Sequence, residues 1–298
     1  MALGNIIARC RLGSALLICS PVAWPFADAQ TLPDSLIAQV RAGAARSVLR
    51  ADSAVLPLAG SPLIPTVAVR VNGRGPYRFL VDLGSNIVVV RSDVALAARG
   101  AVLVDRARGD IVRFDSLELG GATFERVVAA AYDTLDVDGV LGYNLLRMHS
   151  FTLDYPGRRF VIHSRRLPEP DFKTVLPYSV RDRLPMVTVL VGRDSLLVNL
   201  DTGATEWLTV PPALRDSVPW RGPLEQGPTL TNNQTGSVRV LRGTLGAPLR
   251  LGPLVLNDLV VYVNPDADGP WLGSAAMQSA AWTFAPTQGR LEILRRSP

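Results

Sequence analysis

The sequence predicts an all-β protein: two pseudo-symmetric lobes around an interlobe cleft, preceded by one N-terminal helix. Three observations carry this reading. Short runs rich in Val, Leu and Thr are broken by 25 Gly and 23 Pro in 298 residues, the pattern of strands and turns. Helical periodicity is scarce in the main body. Sequence blocks also recur in the same order, the mark of a duplicated module.

The repeat is anchored by two tetrapeptides. Asp82-Leu83-Gly84-Ser85 follows the apolar run Phe79-Leu80-Val81, and Asp201-Thr202-Gly203-Ala204 follows Leu197-Val198-Asn199-Leu200. Upstream, Val71-Asn72-Gly73 answers to Val191-Gly192. Downstream, Leu117-Glu118-Leu119-Gly120 answers to Leu249-Arg250-Leu251-Gly252. Asp138-Gly139-Val140-Leu141-Gly142 answers to Asp268-Gly269-Pro270-Trp271-Leu272-Gly273, and Phe151-Thr152-Leu153 to Trp282-Thr283-Phe284. The offset is 119 residues at the Asp motifs (82 to 201) and 131 or 132 afterwards (142 to 273, 119 to 251), so one insertion separates them. Lobe one is read as residues 60–165 and lobe two as 175–296.

Taken in order, residues 1–29 read as a secretory signal peptide. Arg9 and Arg11 precede a short apolar stretch from Leu12 to Trp24, and Ala27-Asp28-Ala29 offers a cleavage site. The stretch falls short of the roughly 20 residues of a membrane span. An exported protein, periplasmic or secreted, with no integral span after cleavage is therefore expected. Both cysteines, Cys10 and Cys19, lie in this segment, so the expected mature chain has no disulfide, thiolate nucleophile or Cys metal site. Leu17-Ile18 before Cys19 lacks the small residue of a lipidation site.

Residues 30–59 are read as an N-terminal helix and linker. Leu36, Ile37, Val40, Ala44 and Val48 have helical spacing between Asp34 and Leu49, with Asp34 or Ser35 as the cap. A helix packed on lobe one is preferred here to a propeptide. Ala54 to Pro65, with three Pro, reads as linker. Each lobe then opens with a hairpin that ends in its Asp motif: Thr66 to Val71 turning at Asn72-Gly73 into Tyr77 to Val81, and Met186 to Val191 turning at Gly192 into Ser195 to Leu200. Each lobe closes with a hairpin, around Pro156-Gly157 and Thr287-Gln288-Gly289. Lys173 to Pro177 is the expected crossing between lobes.

An Asp-x-Gly tetrapeptide alone says little, because Asp and Gly are ordinary turn residues. Two of them, each behind a strand and each opening a matched module, suggest two halves of one site. Carboxylates brought within about 3 Å cannot both ionise, so the pair holds a proton and can activate a water. Gly84 and Gly203 would let backbone approach those carboxylates.

Each half resembles a lobe of the retropepsin-like and pepsin-like aspartic proteases: apolar strand, Asp-Thr/Ser-Gly-Ala/Ser, a flap, then an apolar-apolar-Gly strand. Asp201-Thr202-Gly203-Ala204 matches the family motif fully, while Asp82-Leu83-Gly84-Ser85 carries Leu where the family has Thr or Ser. Val140-Leu141-Gly142 and Trp271-Leu272-Gly273 resemble the second signature. Both lobes on one chain are as in pepsin-like enzymes; short, disulfide-free modules are more like bacterial retropepsin-like relatives. The resemblance implies acid-protease-type β-barrel lobes, Asp82 and Asp201 as catalytic residues, and an endopeptidase acting on peptides or proteins without metal or cofactor. In the supporting loops, Ser85 is expected to bond the outer oxygen of Asp82, and Thr202 to clasp the backbone of the opposite loop. Leu83 cannot return that bond, and Ala204 cannot repeat the role of Ser85. Asn233, Gln234, Thr235 and Gly236 are the candidate flap tip of lobe two; the matching region of lobe one, Arg106 to Asp110, is short.

Other chemistries are disfavoured. The formal charge is +5 and all 31 basic residues except Lys173 are Arg, but they are scattered with no nucleic-acid motif. His149 and His163 lack ligand spacing, and no Gly-x-Ser-x-Gly occurs. Asp136-Val137-Asp138-Gly139 and Asp266-Ala267-Asp268-Gly269 lack the further oxygen ligands of a calcium loop and read as acidic turns. Asn233-Gln234-Thr235 matches a glycosylation sequon and is read as coincidence. The rival function is a non-catalytic peptide-binding protein on the same scaffold, with Leu83 marking lost activity.

Overall fold

The computed structural model describes residues 32–105, 109–232 and 236–295. The expected signal peptide, residues 1–29, lies outside the described residues, as do Asn233, Gln234 and Thr235 of the candidate flap and Arg106 to Arg108 of its counterpart.

Both lobes begin with the expected hairpin. Thr66–Val71 pairs antiparallel with Arg74–Asp82, and Leu184–Val191 with Asp194–Asp201. Asn72 and Gly73 at the first turn take φ of 49° and 71°, and two successive left-handed residues suit the twist of a two-residue hairpin. The two Asp-bearing strands share one burial pattern: largely exposed at the start, then four buried residues ending in the Asp. Phe79-Leu80-Val81 and Val198-Asn199-Leu200 lose the polar alternation of a half-exposed strand, so each strand dives into its lobe and carries its carboxylate inside.

A short strand then locks each Asp in place. Gly139–Gly142 lies parallel to the first Asp strand with Gly142 opposite Asp82. Trp271–Gly273 lies parallel to the second with Gly273 opposite Asp201. A Cβ on Gly142 would collide with the Ile87 carbonyl, and one on Gly273 with the Glu206 carbonyl. The same glycine thus serves the same contact in both lobes.

In lobe one, six strands close into a ring: Ala122–Tyr132, Val88–Arg91, Gly139–Gly142, Arg74–Asp82, Thr66–Val71, Asp110–Leu119 and back to Ala122–Tyr132. The ten-stranded sheet of lobe two keeps the same arrangement around its Asp strand but stays open. Its first two strands, Glu225–Asn232 and Gly236–Thr244, form a long ribbon. The lobe-one counterpart of its outer strand, Ala101–Val104, is only four residues long.

The closing hairpins, Ser150–Asp154 with Arg159–His163 and Ala280–Ala285 with Arg290–Arg295, meet edge to edge in a six-stranded sheet beneath both lobes. Their register sets Thr152 opposite Thr283, Phe151 opposite Phe284 and Leu153 opposite Trp282. Phe151 repeats as Trp282 and Leu153 as Phe284, so the repeat partners exchange places about the threonine pair. That exchange is what a local twofold axis through Thr152 and Thr283 requires. Phe151 stacks on Phe284 with ring centroids 4.9 Å apart, joining the cores of the two halves.

Two expectations change. The helix runs only from Asp34 to Ala42, with Pro33 rather than Asp34 or Ser35 at its cap and no side-chain capping bond. It stops because Gly43 turns left-handed, φ 81°, and Arg46–Leu49 instead pairs with the strand residues Ala122 to Glu125. The apolar period across 34–49 had merged a helix with a strand. Part of the Pro-rich linker is also a strand: Ser53–Pro57 edges the central sheet beside Arg159–His163. Pro57 suits the end of an edge strand, where no ladder donor is needed. The helix packs Leu36 and Val40 on lobe one, held by a 2.9 Å bond from Asn144 Nδ2 to the Val40 carbonyl.

Candidate active site

The two Asp loops meet where the lobes join. Asp82 and Asp201 are both buried, at 1% and 0% exposure. Each loop curls back on its own carboxylate: the Gly84 N–H donates to Asp82 Oδ1 at 2.8 Å, and the Gly203 N–H to Asp201 Oδ1 at 2.9 Å. The Ala204 N–H adds a second bond to Asp201 Oδ1 at 3.1 Å.

Each loop also presses on the opposite carboxylate. A Cβ on Gly84 would collide with the carboxyl of Asp201, and one on Gly203 would come within 2.8 Å of the carboxyl of Asp82. Carboxyl faces carboxyl, with a hydrogen bond between Asp82 and Asp201. The structure thus brings Asp82, Gly84, Asp201, Gly203 and Ala204 together.

Thr202 clasps lobe one from the other side. Its hydroxyl accepts the Leu83 N–H at 2.9 Å and donates to the Val81 carbonyl at 2.7 Å. Leu83 has no such group to return; its side chain is wholly buried in the main core. Ser85 departs from expectation. Its hydroxyl donates to the Ile87 carbonyl at 2.9 Å, stabilising its own loop, and it is the backbone N–H of Ser85 that faces Asp82. A serine hydroxyl next to a buried turn finds the nearer carbonyl first. Of the candidate flap, Gly236 opens the second strand of the ribbon.

Three polar residues join the site without having been singled out. Ser274 donates to the Thr202 carbonyl at 2.8 Å, and Tyr155 reaches Ser274 at 3.3 Å. Tyr155 is buried close enough for both aspartates to push its hydroxyl pKa up further, beyond the effect of burial. Glu206, five residues after Asp201, is 2% exposed. Ser274 was legible in principle as the residue directly after the second Leu-Gly. Glu206 was legible as a charge leading into the apolar run Trp207-Leu208-Thr209-Val210.

The electrostatics favour retained protons. Burial raises the Asp82 carboxyl to about 6, while the N–H groups of Gly84, Gly203 and Ser85 and the bond to Asp201 pull it down. Asp201 is raised well above the ordinary range, by burial first, then by the charge of Asp82 and then by Glu206. Two carboxylates in one dry site cannot both ionise, so the pair carries a proton through neutral pH. The acidic turn residue Asp138 is engaged elsewhere: it accepts the Arg78 N–H at 2.7 Å and pairs with Arg91 at 2.9 Å.

Residues 67–145 match the aspartyl protease family model. No curated protein sequence matches the chain. The fold is similar to that of the aspartic proteinase from Irpex lacteus, with a TM-score of 0.52 and 13% identity over 82% of this chain and 98% of that one. At that identity the likeness speaks for the fold alone. The first lobe thus matches the aspartyl protease family in sequence, and the chain as a whole resembles an aspartic proteinase in fold.

Proposed function

We propose that the protein is an exported aspartic endopeptidase, hydrolysing peptide bonds with a water activated between Asp82 and Asp201. The observation that carries this reading is the reciprocal approach of each glycine to the opposite carboxylate, which leaves one shared, buried acid pair on a local twofold axis. The two carboxyls share one proton: the ionised member takes a proton from the attacking water while the protonated member donates to the peptide carbonyl. Collapse of the tetrahedral intermediate returns a proton to the leaving amine. The Gly203 and Ala204 N–H groups donate to Asp201 Oδ1, which leaves Oδ2 clear of the loop donors for the shared proton.

Leu83 favours no second reading strongly. Thr202 alone makes both contacts of the clasp, and Leu83 fills the core beneath the loop, so the dyad is held without a returned bond. The test is digestion of a denatured protein mixture in water enriched in oxygen-18, from pH 3 to 9, with and without chelator. Single-turnover products should carry one heavy oxygen in each new carboxyl group, with no covalent adduct and no effect of chelator. No cleavage at any pH would leave the peptide-binding alternative.

A further inference from the structure

The local twofold axis allows each position of lobe two to be compared with its counterpart in lobe one. On the face behind the Asp strand the two differ in kind. In lobe one a row of paired residues crosses the sheet: Leu80 with Val140, Val140 with Val89, Val89 with Ala130. All are apolar. With Ile87 they form one buried cluster, covered by Leu36 and Val40 of the helix.

The matching row of lobe two is Asn199 with Trp271, Trp271 with Thr209, Thr209 with Tyr262. Glu206 stands where Ile87 stands, since each supplies the carbonyl that crowds the Leu-Gly glycine. All five apolar positions have become polar or amphipathic, Trp271 through its indole N–H.

Asn199 Nδ2 donates to the Pro185 carbonyl at 3.0 Å, but several other polar atoms of the row are buried and unused. Asn199 Oδ1, Thr209 Oγ1, Trp271 Nε1 and both carboxyl oxygens of Glu206 are inaccessible and lack a partner in ordinary hydrogen-bond geometry. The donors nearest the Glu206 carboxyl are those of Thr205 and its own N–H. Among the described residues no cation pairs with Glu206; Arg242, next in the row beyond Tyr262, pairs with Glu225. A buried carboxyl costs several kcal/mol unless something pairs with it, and its apolar counterpart shows that the fold does not need it.

The cover over this face differs too. Leu230, Val238 and Val240 of the ribbon close over Ala204, Tyr262 and Trp271. The ribbon joins the remaining sheet by strand pairing only at Leu241 to Thr244, so its outer half is attached by side chains alone. Lifting it would open the row next to Asp201 without breaking the sheet.

We propose that Glu206, Asn199, Thr209, Trp271 and Tyr262 form a ribbon-covered subsite that binds a cationic side chain, Arg or Lys, of the peptide substrate. The set is rich in acceptors, one of them a carboxylate, and two aromatic faces flank it, as suits a guanidinium or ammonium group. The proposal rests on the protease reading for its substrate but not for its test. Burial holds the Glu206 carboxyl at about 8 in the free protein. Binding a cation therefore ionises it and releases a proton below that pH. The other titratable groups facing it are Asp201 and Tyr262, and Arg242 acts on Tyr262 from the ribbon.

The experiment measures binding on the Asp82→Asn protein, which needs no catalysis. Acetylated, amidated octapeptides of Ala and Gly with one Phe are titrated by calorimetry, carrying Arg, Lys or norleucine at each position in turn. At one position Arg or Lys should bind at least tenfold more tightly than norleucine, with proton release at pH 7. Adding Glu206→Gln should abolish both the preference and the proton release, and Glu206→Asp should retain part of each. Equal affinity for Arg, Lys and norleucine everywhere, or a preference that survives Glu206→Gln, would overturn the proposal. Cleavage of the same peptides by the unaltered protein decides the protease reading separately.

Discussion

Thr152 and Thr283 face each other across the middle of the central sheet, their hydroxyls 2.8 Å apart. They are repeat partners, so the local twofold axis passes between them, and the same axis relates Asp82 to Asp201. The catalytic proposal depends on that relation being kept tightly at the Asp loops.

Gly84→Ala tests the close approach. The added Cβ would collide with the Asp201 carboxyl, which has no room to retreat in a buried site. The expected result is a loss of about 2 kcal/mol or more in stability and loss of peptide cleavage. Gly203→Ala has slightly more room and should cost less. Urea denaturation and steady-state kinetics on one peptide measure both; a fully active Gly84→Ala protein would contradict the geometry.

Thr202→Val removes both halves of the clasp and strands the Leu83 N–H and the Val81 carbonyl. A buried unpaired group costs about 1–3 kcal/mol, so a destabilisation of about 2–4 kcal/mol is expected. Misplacing the pair by about 1 Å would lower the rate on the order of 100-fold. Serine at this position should restore most of both, since it keeps the hydroxyl.

Leu83→Thr exchanges a core side chain for a second clasp. Lost burial should cost about 1–3 kcal/mol, leaving the fold intact. By the twofold relation the new hydroxyl reaches toward the opposite loop, and proteolysis should rise several-fold. Unchanged or lower activity in a folded Leu83→Thr protein would show that Leu83 is an accommodated part of a working site.

The pH dependence follows from the raised carboxyls. Asp82 moves from an ordinary 3.8 to about 6, so kcat/KM should rise through about pH 6 as the pair becomes a monoanion. Stability runs the other way. A carboxyl whose folded pKa is raised stabilises fully below its unfolded value and loses that contribution as pH rises through the folded one. Asp82 should cost stability between about pH 4 and 6, and Glu206, which moves from 4.5 to about 8, between about pH 4.5 and 8. Glu206→Gln should therefore raise Tm relative to the unaltered protein at pH 8.5 but not at pH 4. An equal change at both pH values would show that Glu206 is not held neutral.

Much of this was legible because the repeat doubles every signal. The apolar runs ending in Asp82 and Asp201, and the Leu-Gly pairs ending in Gly142 and Gly273, need no tertiary knowledge to be matched. What escaped depends on long-range partners. Arg46–Leu49 is a strand because Ala122 to Glu125 offers an edge, and Ser53–Pro57 because Arg159–His163 does; neither partner is visible locally. The Ser85 hydroxyl was assigned to Asp82 by type, but its rotamer is decided by the nearer Ile87 carbonyl. Glu206 shows locally only as a charge before an apolar run; its burial depends on the ribbon, whose strands begin about twenty residues later.

The central claim is that Asp82 and Asp201 act as one proton-sharing unit. The most direct measurement is kcat/KM at the pH optimum for Asp82→Asn, Asp201→Asn and the double variant, with folding checked by thermal melting. Each single variant should lose about 1,000-fold or more, and the double variant should lose little beyond either single one, because either change disables the pair. A folded single variant that keeps more than about a tenth of the rate would contradict the account.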